Sequence, residues 1–189
     1  MATVGILLAA GRGRRFDPSG ARNKLLARLP DDVPVAVASA RSLLAVLPKV
    51  IAVVAPQDGG VADALRAIGC EVTACADADS GMGASLVHAL RHSLPDASAW
   101  IVALADMPHV APSTIAALSD ALDGGAGIAV PVCEGRRGNP VGFGAMYVQD
   151  LLALHGDEGA RSLVRSNPVR EVAVTDLGIL RDIDIPSDL

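Results

Sequence analysis

Short apolar runs separated by helix-length segments are the feature that most limits how this chain folds. Val4–Leu8, Lys49–Val54, Glu71–Cys75, Trp100–Leu104 and Ile128–Val132 read as strands. Val4–Leu8 has no polar interruption, as expected of a strand covered on both faces. Between these runs, Pro34–Leu47, Asp58–Ile68, Gly83–Ser93 and Pro112–Leu122 have helix-forming composition, with Pro48, Gly69 and Gly124-Gly125 as stops and Ala111-Pro112-Ser113 as a start. Strands joined through helices cannot pair as tight hairpins. Right-handed crossovers follow, giving a mainly parallel sheet with helices on both faces and ligands beyond the carboxyl ends of the strands.

Past Pro131 the rhythm fails. Arg136–Gly144 is glycine-rich and extended, a β-ribbon or loop; short helices are expected over Val148–Leu154 and Gly159–Ser166, and strands over Arg170–Val174 and Leu180–Ile183. No linker, repeat or low-complexity stretch interrupts the chain, so residues 1–189 read as a single domain whose C-terminal third builds the second half of a cleft.

The first strand empties into Gly11-Arg12-Gly13-Arg14-Arg15, with Asn23-Lys24 beyond. Glycine lets backbone N–H groups approach a polyanion, and Arg12, Arg14, Arg15 and Lys24 neutralise charge spread over several phosphate oxygens. The loop is therefore a candidate cradle for a nucleoside triphosphate; a flexible basic turn is the other reading. It is not a dinucleotide fingerprint, because Phe16 stands where a third glycine is needed, nor a Walker loop, because Lys24 follows Asn23. The chain is otherwise acidic, with net charge −5, and has one Trp, one Tyr and two Phe. That balance favours a small anionic ligand over nucleic acid, which calls for a wide basic face or stacking aromatics. No run approaches a membrane span, and neither the N-terminus nor Cys70, Cys75 and Cys133 suggest secretion or a disulfide framework; a soluble cytoplasmic protein is expected.

Asp106 follows the strand Trp100–Leu104, and Pro108 restrains its turn. Its carboxylate either caps the turn or, beside a triphosphate, shares a divalent cation with it. Asp182 and Asp184, two apart, point the same way in extended chain while Ile183 and Ile185 face inward; Asp188 reads as a helix cap. His88 and His92 lie one helical turn apart without an accompanying acidic or thiol ligand, so an amphipathic helix is expected there rather than a metal site.

Taken in order, Leu8-Ala9-Ala10-Gly11-x-Gly13-x-Arg15 with Lys24, Gly81-Met82-Gly83-Ala84-Ser85, Asp106-Met107-Pro108, Gly138-Asn139-Pro140-Val141-Gly142, Gly156-Asp157-x-Gly159-Ala160-Arg161 and Asp182-Ile183-Asp184-Ile185-Pro186 resemble the MobA-like nucleotidyltransferases, most of all the molybdenum cofactor cytidylyltransferases. The resemblance implies a Rossmann-like αβα nucleotidyltransferase fold. It also implies Mg²⁺-dependent transfer of CMP from CTP to the terminal phosphate of molybdopterin, with pyrophosphate leaving. Guanylyl transfer, another phosphorylated acceptor, or a cofactor-holding maturation chaperone for a molybdoenzyme client are its alternatives. By the same resemblance Leu8, Ala9, Ala10, Gly11 and Gly13 line the base and phosphates, Arg15 holds the leaving pyrophosphate and Lys24 reaches the α-phosphate. Gly83 and Ser85 meet the nucleoside, and Asp106 and Asp184 bind Mg²⁺. Asn139, Asp157 and Arg161 face the acceptor, although Asp157 serves equally as a helix cap.

Two departures from the family pattern matter. Its Arg-Met-Gly is Arg15-Phe16-Asp17 here, followed by a longer connection to Lys24, and its Gly-His-Pro is Gly138-Asn139-Pro140. Asn139 donates and accepts hydrogen bonds but carries no charge.

Overall fold

The computed structural model describes residues 2–11, 13, 15–94, 96–156 and 159–189. Its strands are β1 (Ala2–Ala9), β2 (Val50–Val54), β3 (Glu71–Ala74), β4 (Ala97–Leu104), β5 (Ile128–Cys133), β6 (Arg136–Arg137), β7 (Val141–Gly144) and β8 (Arg170–Ala173). They form one sheet in the order β3-β2-β1-β4-β7-β5-β6, with β8 also on β5. The β1–β2, β2–β3, β1–β4 and β5–β8 pairs are parallel, whereas β7 is antiparallel to both β4 and β5. The mainly parallel αβα architecture expected from the strand–helix rhythm is therefore the fold observed.

Alternate residues of each central strand feed opposite faces, which is why the runs are continuously apolar. Leu7, Ala52, Ile101 and Ala103 join α1 (Val35–Leu44), α2 (Val61–Ala67) and α4 (Pro112–Asp123) in one cluster. Ile6, Val53, Trp100 and Val102 join α3 (Met82–Ser93) and α5 (Val148–Leu152) in the other, with α6 (Arg161–Ser166) packed on its edge. Trp100 Nε1 donates to Ser93 Oγ at 2.8 Å, so the buried indole is satisfied. Phe143 of β7 lies opposite Trp100, closing the sheet where the parallel rhythm ends. Among the described residues, no helix is long and apolar enough to cross a membrane.

The ribbon expected over Arg136–Gly144 includes β7, which is inserted between β4 and β5. At the start of α4, Asp176 Oδ2 accepts from Ala111 N at 2.8 Å and Thr114 Oγ1 at 2.7 Å. The structure corrects the local expectation for the tail. Leu180–Ile183 is not a strand: Leu177–Leu180 is a 3₁₀ turn, and the following residues run without a ladder partner. Backbone bonds to specific neighbours hold this tail instead, Asn139 N to Ile179 O at 3.0 Å and Ile183 N to Asp106 O at 2.8 Å. Ile183 is buried as expected, but Ile185 is exposed.

Gly178 sits where the tail crosses the loop before α4, and a Cβ there would lie 2.0 Å from His109 O. Backbone cannot yield as a side chain does, so we expect Gly178→Ala to cost about 1–3 kcal/mol, measured by urea unfolding.

Candidate functional site

The carboxyl ends of β1 and β4, neighbours in the sheet, carry the glycine loop and Asp106 respectively. Gly13 adopts φ +56°, and a Cβ there would come within 3.0 Å of Lys24 Cβ. The open conformation and the close approach both require glycine. Asn23 Oδ1 accepts from Leu25 N at 3.0 Å and its amide donates to Asp58 O at 2.8 Å, fixing the 3₁₀ turn Lys24–Leu26. The Lys24 side chain is thereby aimed inward, only 10% exposed, with Nζ 2.8 Å from Asp106 Oδ2 and 3.6 Å from Asp184 Oδ1. Arg15 Nη1 pairs with the other oxygen of Asp184.

Asp184 arrives from the far end of the chain. Phe16, Leu29, Val35 and Ile183 share a small buried cluster, so the loop bearing Arg15 and the tail bearing Asp184 pack on one another. Asp188 Oδ2 accepts from the N–H groups of both Asp184 and Ile185 at 2.9 Å, and those bonds hold its carboxyl below the usual carboxylate range. It caps the start of the last 3₁₀ turn, Pro186–Asp188, as expected, by accepting from the N–H of Ile185, and it also fastens the tail through Asp184 N. Asp106, Asp182 and Asp184 each offer an oxygen, all within 4.8 Å of one another. Among the described buried side-chain atoms, Asp106 Oδ1 is the one with no hydrogen-bond partner.

Two cavities flank the end of β1. The larger, about 730 Å³, is lined by Ala9, Ala10 and Gly11, by residues after β2 and β3, and by the loop from Asp17 to Asn23. The second, about 280 Å³, has a mostly apolar floor of Leu8, Val102, Val130 and Phe143, and Asn139, Arg161 and Arg165 at its edge. Of the residues singled out from sequence, Ala9, Ala10 and Gly11 thus share one cavity and Leu8, Asn139 and Arg161 the other. Arg15, Lys24, Asp106 and Asp184 form the ionic cluster and line neither. Gly83 and Ser85 line neither as well: Gly83 N donates to Gly156 O at 2.9 Å, and Ser85 is buried in α3. Arg12, Arg14 and Asp157 lie outside the described residues.

Asp182, paired with Asp184 by its two-residue spacing but not assigned to the cation, is a member of the carboxylate group. The longer connection before Lys24 forms a wall of the larger cavity. Met82 borders the second cavity. His88 and His92 make separate bonds, to Thr73 Oγ1 at 2.7 Å and Glu71 Oε1 at 2.5 Å. Cys70, Cys75 and Cys133 are buried and free, and burial pushes the Cys70 thiol up to about 11.

A mostly parallel sheet with an anion-type glycine loop and acidic groups at its carboxyl edge defines a Rossmann-like nucleotidyltransferase fold. Residues 5–172 match the MobA-like NTP transferase domain, and the chain belongs to that family. Asp182, Asp184 and Asp188 lie beyond the matched span. Rv0371c from Mycobacterium tuberculosis H37Rv is similar in structure over 100% of this chain and 95% of its own, with TM-score 0.84 and 29% identity. Its complex with manganese is similar over 100% and 93%, with TM-score 0.76 and 28% identity. A nucleotidyl transferase from Methanothermobacter, Mth528, shares the fold at TM-score 0.82 and 23% identity, over 99% of this chain and 94% of its own. No curated protein matches the chain.

Asp17 organises the cavity wall. Its Oδ1 accepts from Ser19 Oγ at 2.6 Å and Ser19 N at 3.0 Å, its Oδ2 from Arg22 N at 2.8 Å. These bonds, that of the Ser19 hydroxyl foremost, hold its carboxyl below the ordinary 3.8. With the folded value depressed, the contribution to loop order is complete above 3.8 and is lost as pH falls through the lower folded value. We expect the amide signals of Ser19 and Arg22 to change together in an NMR titration below that pH, and Asp17→Asn to remove the transition.

Proposed function

We propose that the protein transfers CMP from CTP to the terminal phosphate of molybdopterin, releasing pyrophosphate, with the whole chain 1–189 acting as one transferase domain and Mg²⁺ as its cation. The observation that carries this reading is the convergence of Lys24 and Arg15, from the glycine loop, on the carboxylates of Asp106 and Asp184 beside two separate cavities. One cavity at the Ala9-Ala10-Gly11 turn suits a nucleotide in volume. The other, with Asn139 and Arg161, suits an acceptor that combines a flat apolar body with negative charge.

The residues present fit a hard divalent cation. Asp106, Asp182 and Asp184 offer only oxygen, the donor type that Mg²⁺ and Mn²⁺ favour, and Asp106 Oδ1 lacks any other partner. The manganese complex of Rv0371c is consistent with that choice. Bound there, the cation neutralises phosphate charge that the carboxylates alone would repel.

In the transfer, an oxygen of the acceptor phosphate forms a bond to the α-phosphorus while the bond to the pyrophosphate oxygen breaks. Lys24 moves from its carboxylate partners to the α-phosphate, and Arg15 holds the departing pyrophosphate. The backbone of Ala9, Ala10 and Gly11 approaches the nucleotide. The acceptor phosphate is already a nucleophile, so positioning and charge neutralisation suffice and no general base is needed. Ala9-Ala10, where the guanylyl branch of the family has a glycine, supports CTP as donor.

The test is pyrophosphate release from CTP and from GTP, each with Mg²⁺ and with or without molybdopterin. Release that requires CTP and molybdopterin together is expected; tight nucleotide binding without release would instead support a cofactor-holding chaperone. Asp106→Asn should lower release by at least about a hundredfold yet stay folded, because Lys24 keeps Asp184 and the amide oxygen as acceptors. Undiminished turnover would remove Asp106 from the mechanism.

A further inference from the structure

The larger cavity presents a cation to whatever enters it. Among the described residues lining it, Arg22 is the one cation, and Asp17 and Asp58 already bond backbone N–H groups. The other cations of the glycine loop that the structure describes, Arg15 and Lys24, are turned onto Asp184 and Asp106. Resting on the nucleotide reading above, a triphosphate entering here needs positive charge on the cavity side of the Asp17–Asn23 loop.

We propose that Arg22 supplies it, as a direct contact to the triphosphate of the bound nucleotide. Its placement is built rather than incidental. The Asp17 carboxylate receives Arg22 N at 2.8 Å, Gly20 N donates to Asp17 O at 3.1 Å, and Ala21 N donates to Ser19 Oγ at 3.3 Å, closing the loop on itself. The Arg22 guanidinium lies over the Phe16 ring, 5.7 Å from its centroid, and Phe16 is itself 4% exposed. A guanidinium resting on a buried aromatic face keeps its in-plane N–H groups free to point outward. Its ion pair with Asp17 is long, 3.9 Å from Nε to Oδ2, and the side chain is 68% exposed. The fork is therefore held in place but not consumed. Phe16 and Asp17, where the family's methionine and glycine are replaced, serve one purpose in this account: the ring carries the cation and the carboxylate shapes the loop that presents it.

The side chain can be removed without disturbing the loop, because Asp17 holds the backbone N–H of Arg22, which alanine retains. The dissociation constants of CTP, CMP and inorganic tripolyphosphate are measured by calorimetry with Mg²⁺ for the wild type, Arg22→Ala and Arg22→Lys. The expected result is about tenfold weaker binding of both CTP and tripolyphosphate to Arg22→Ala, with CMP changed by less than about twofold and Arg22→Lys recovering part of the loss. If all three ligands bind Arg22→Ala as they bind the wild type, Arg22 is not a phosphate contact. An equal loss for CMP and CTP would place the side chain on the nucleoside and overturn the proposal too. Failure of the wild type to bind any of the three would overturn the nucleotide reading itself, an outcome distinct from a wild type that binds and a variant that binds equally well.

Discussion

An ammonium group placed almost out of reach of water must be compensated, and the architecture of the site follows from how Lys24 is compensated. At 10% side-chain exposure it requires anionic partners, which Asp106 provides at 2.8 Å and Asp184 at 3.6 Å. The two carboxylates come from distant parts of the chain, one just after β4 and one from the tail. Ile183 N bonds to Asp106 O, Ile183 buries itself against Phe16, and Asp188 clamps the backbone on either side of the Asp184–Ile185 peptide. Glycine at position 13 is the local counterpart, since a side chain there would press on Lys24 Cβ.

The same interaction balances the charges of the site. Clustered carboxylates repel, and Lys24 and Arg15 neutralise them. In the proposed function Asp106, Asp182 and Asp184 would hold a divalent cation, while Lys24 and Arg15 would turn to the phosphates. The two cavities at the end of β1 would then receive donor and acceptor on either side of that cluster.

Much of this was legible in the sequence because the central strands are continuously apolar and their neighbours helix-forming. Their alternation places Leu7 and Ile6, or Ile101 and Trp100, on opposite faces. The glycine loop, Lys24, Asp106 and Asp184 were legible as types of residue in a family order. What was not legible depends on contacts between distant segments. Asp176 braces the start of α4 from more than sixty positions away, through Ala111 N and Thr114 Oγ1, which no local pattern announces. A strand was expected over Leu180–Ile183, but the tail is held by Asp106, Asp188 and the close approach at Gly178 instead. The Asp17 loop gave no periodic signal at all; its order rests on one carboxylate with several donors.

The most direct test of the account follows the α-phosphorus of CTP by phosphorus NMR in the presence of the protein, Mg²⁺ and molybdopterin. The account predicts that it appears in a diphosphate bridge to the acceptor, one for each pyrophosphate released. An α-phosphorus that stays in CTP, or ends in free CMP, would contradict it.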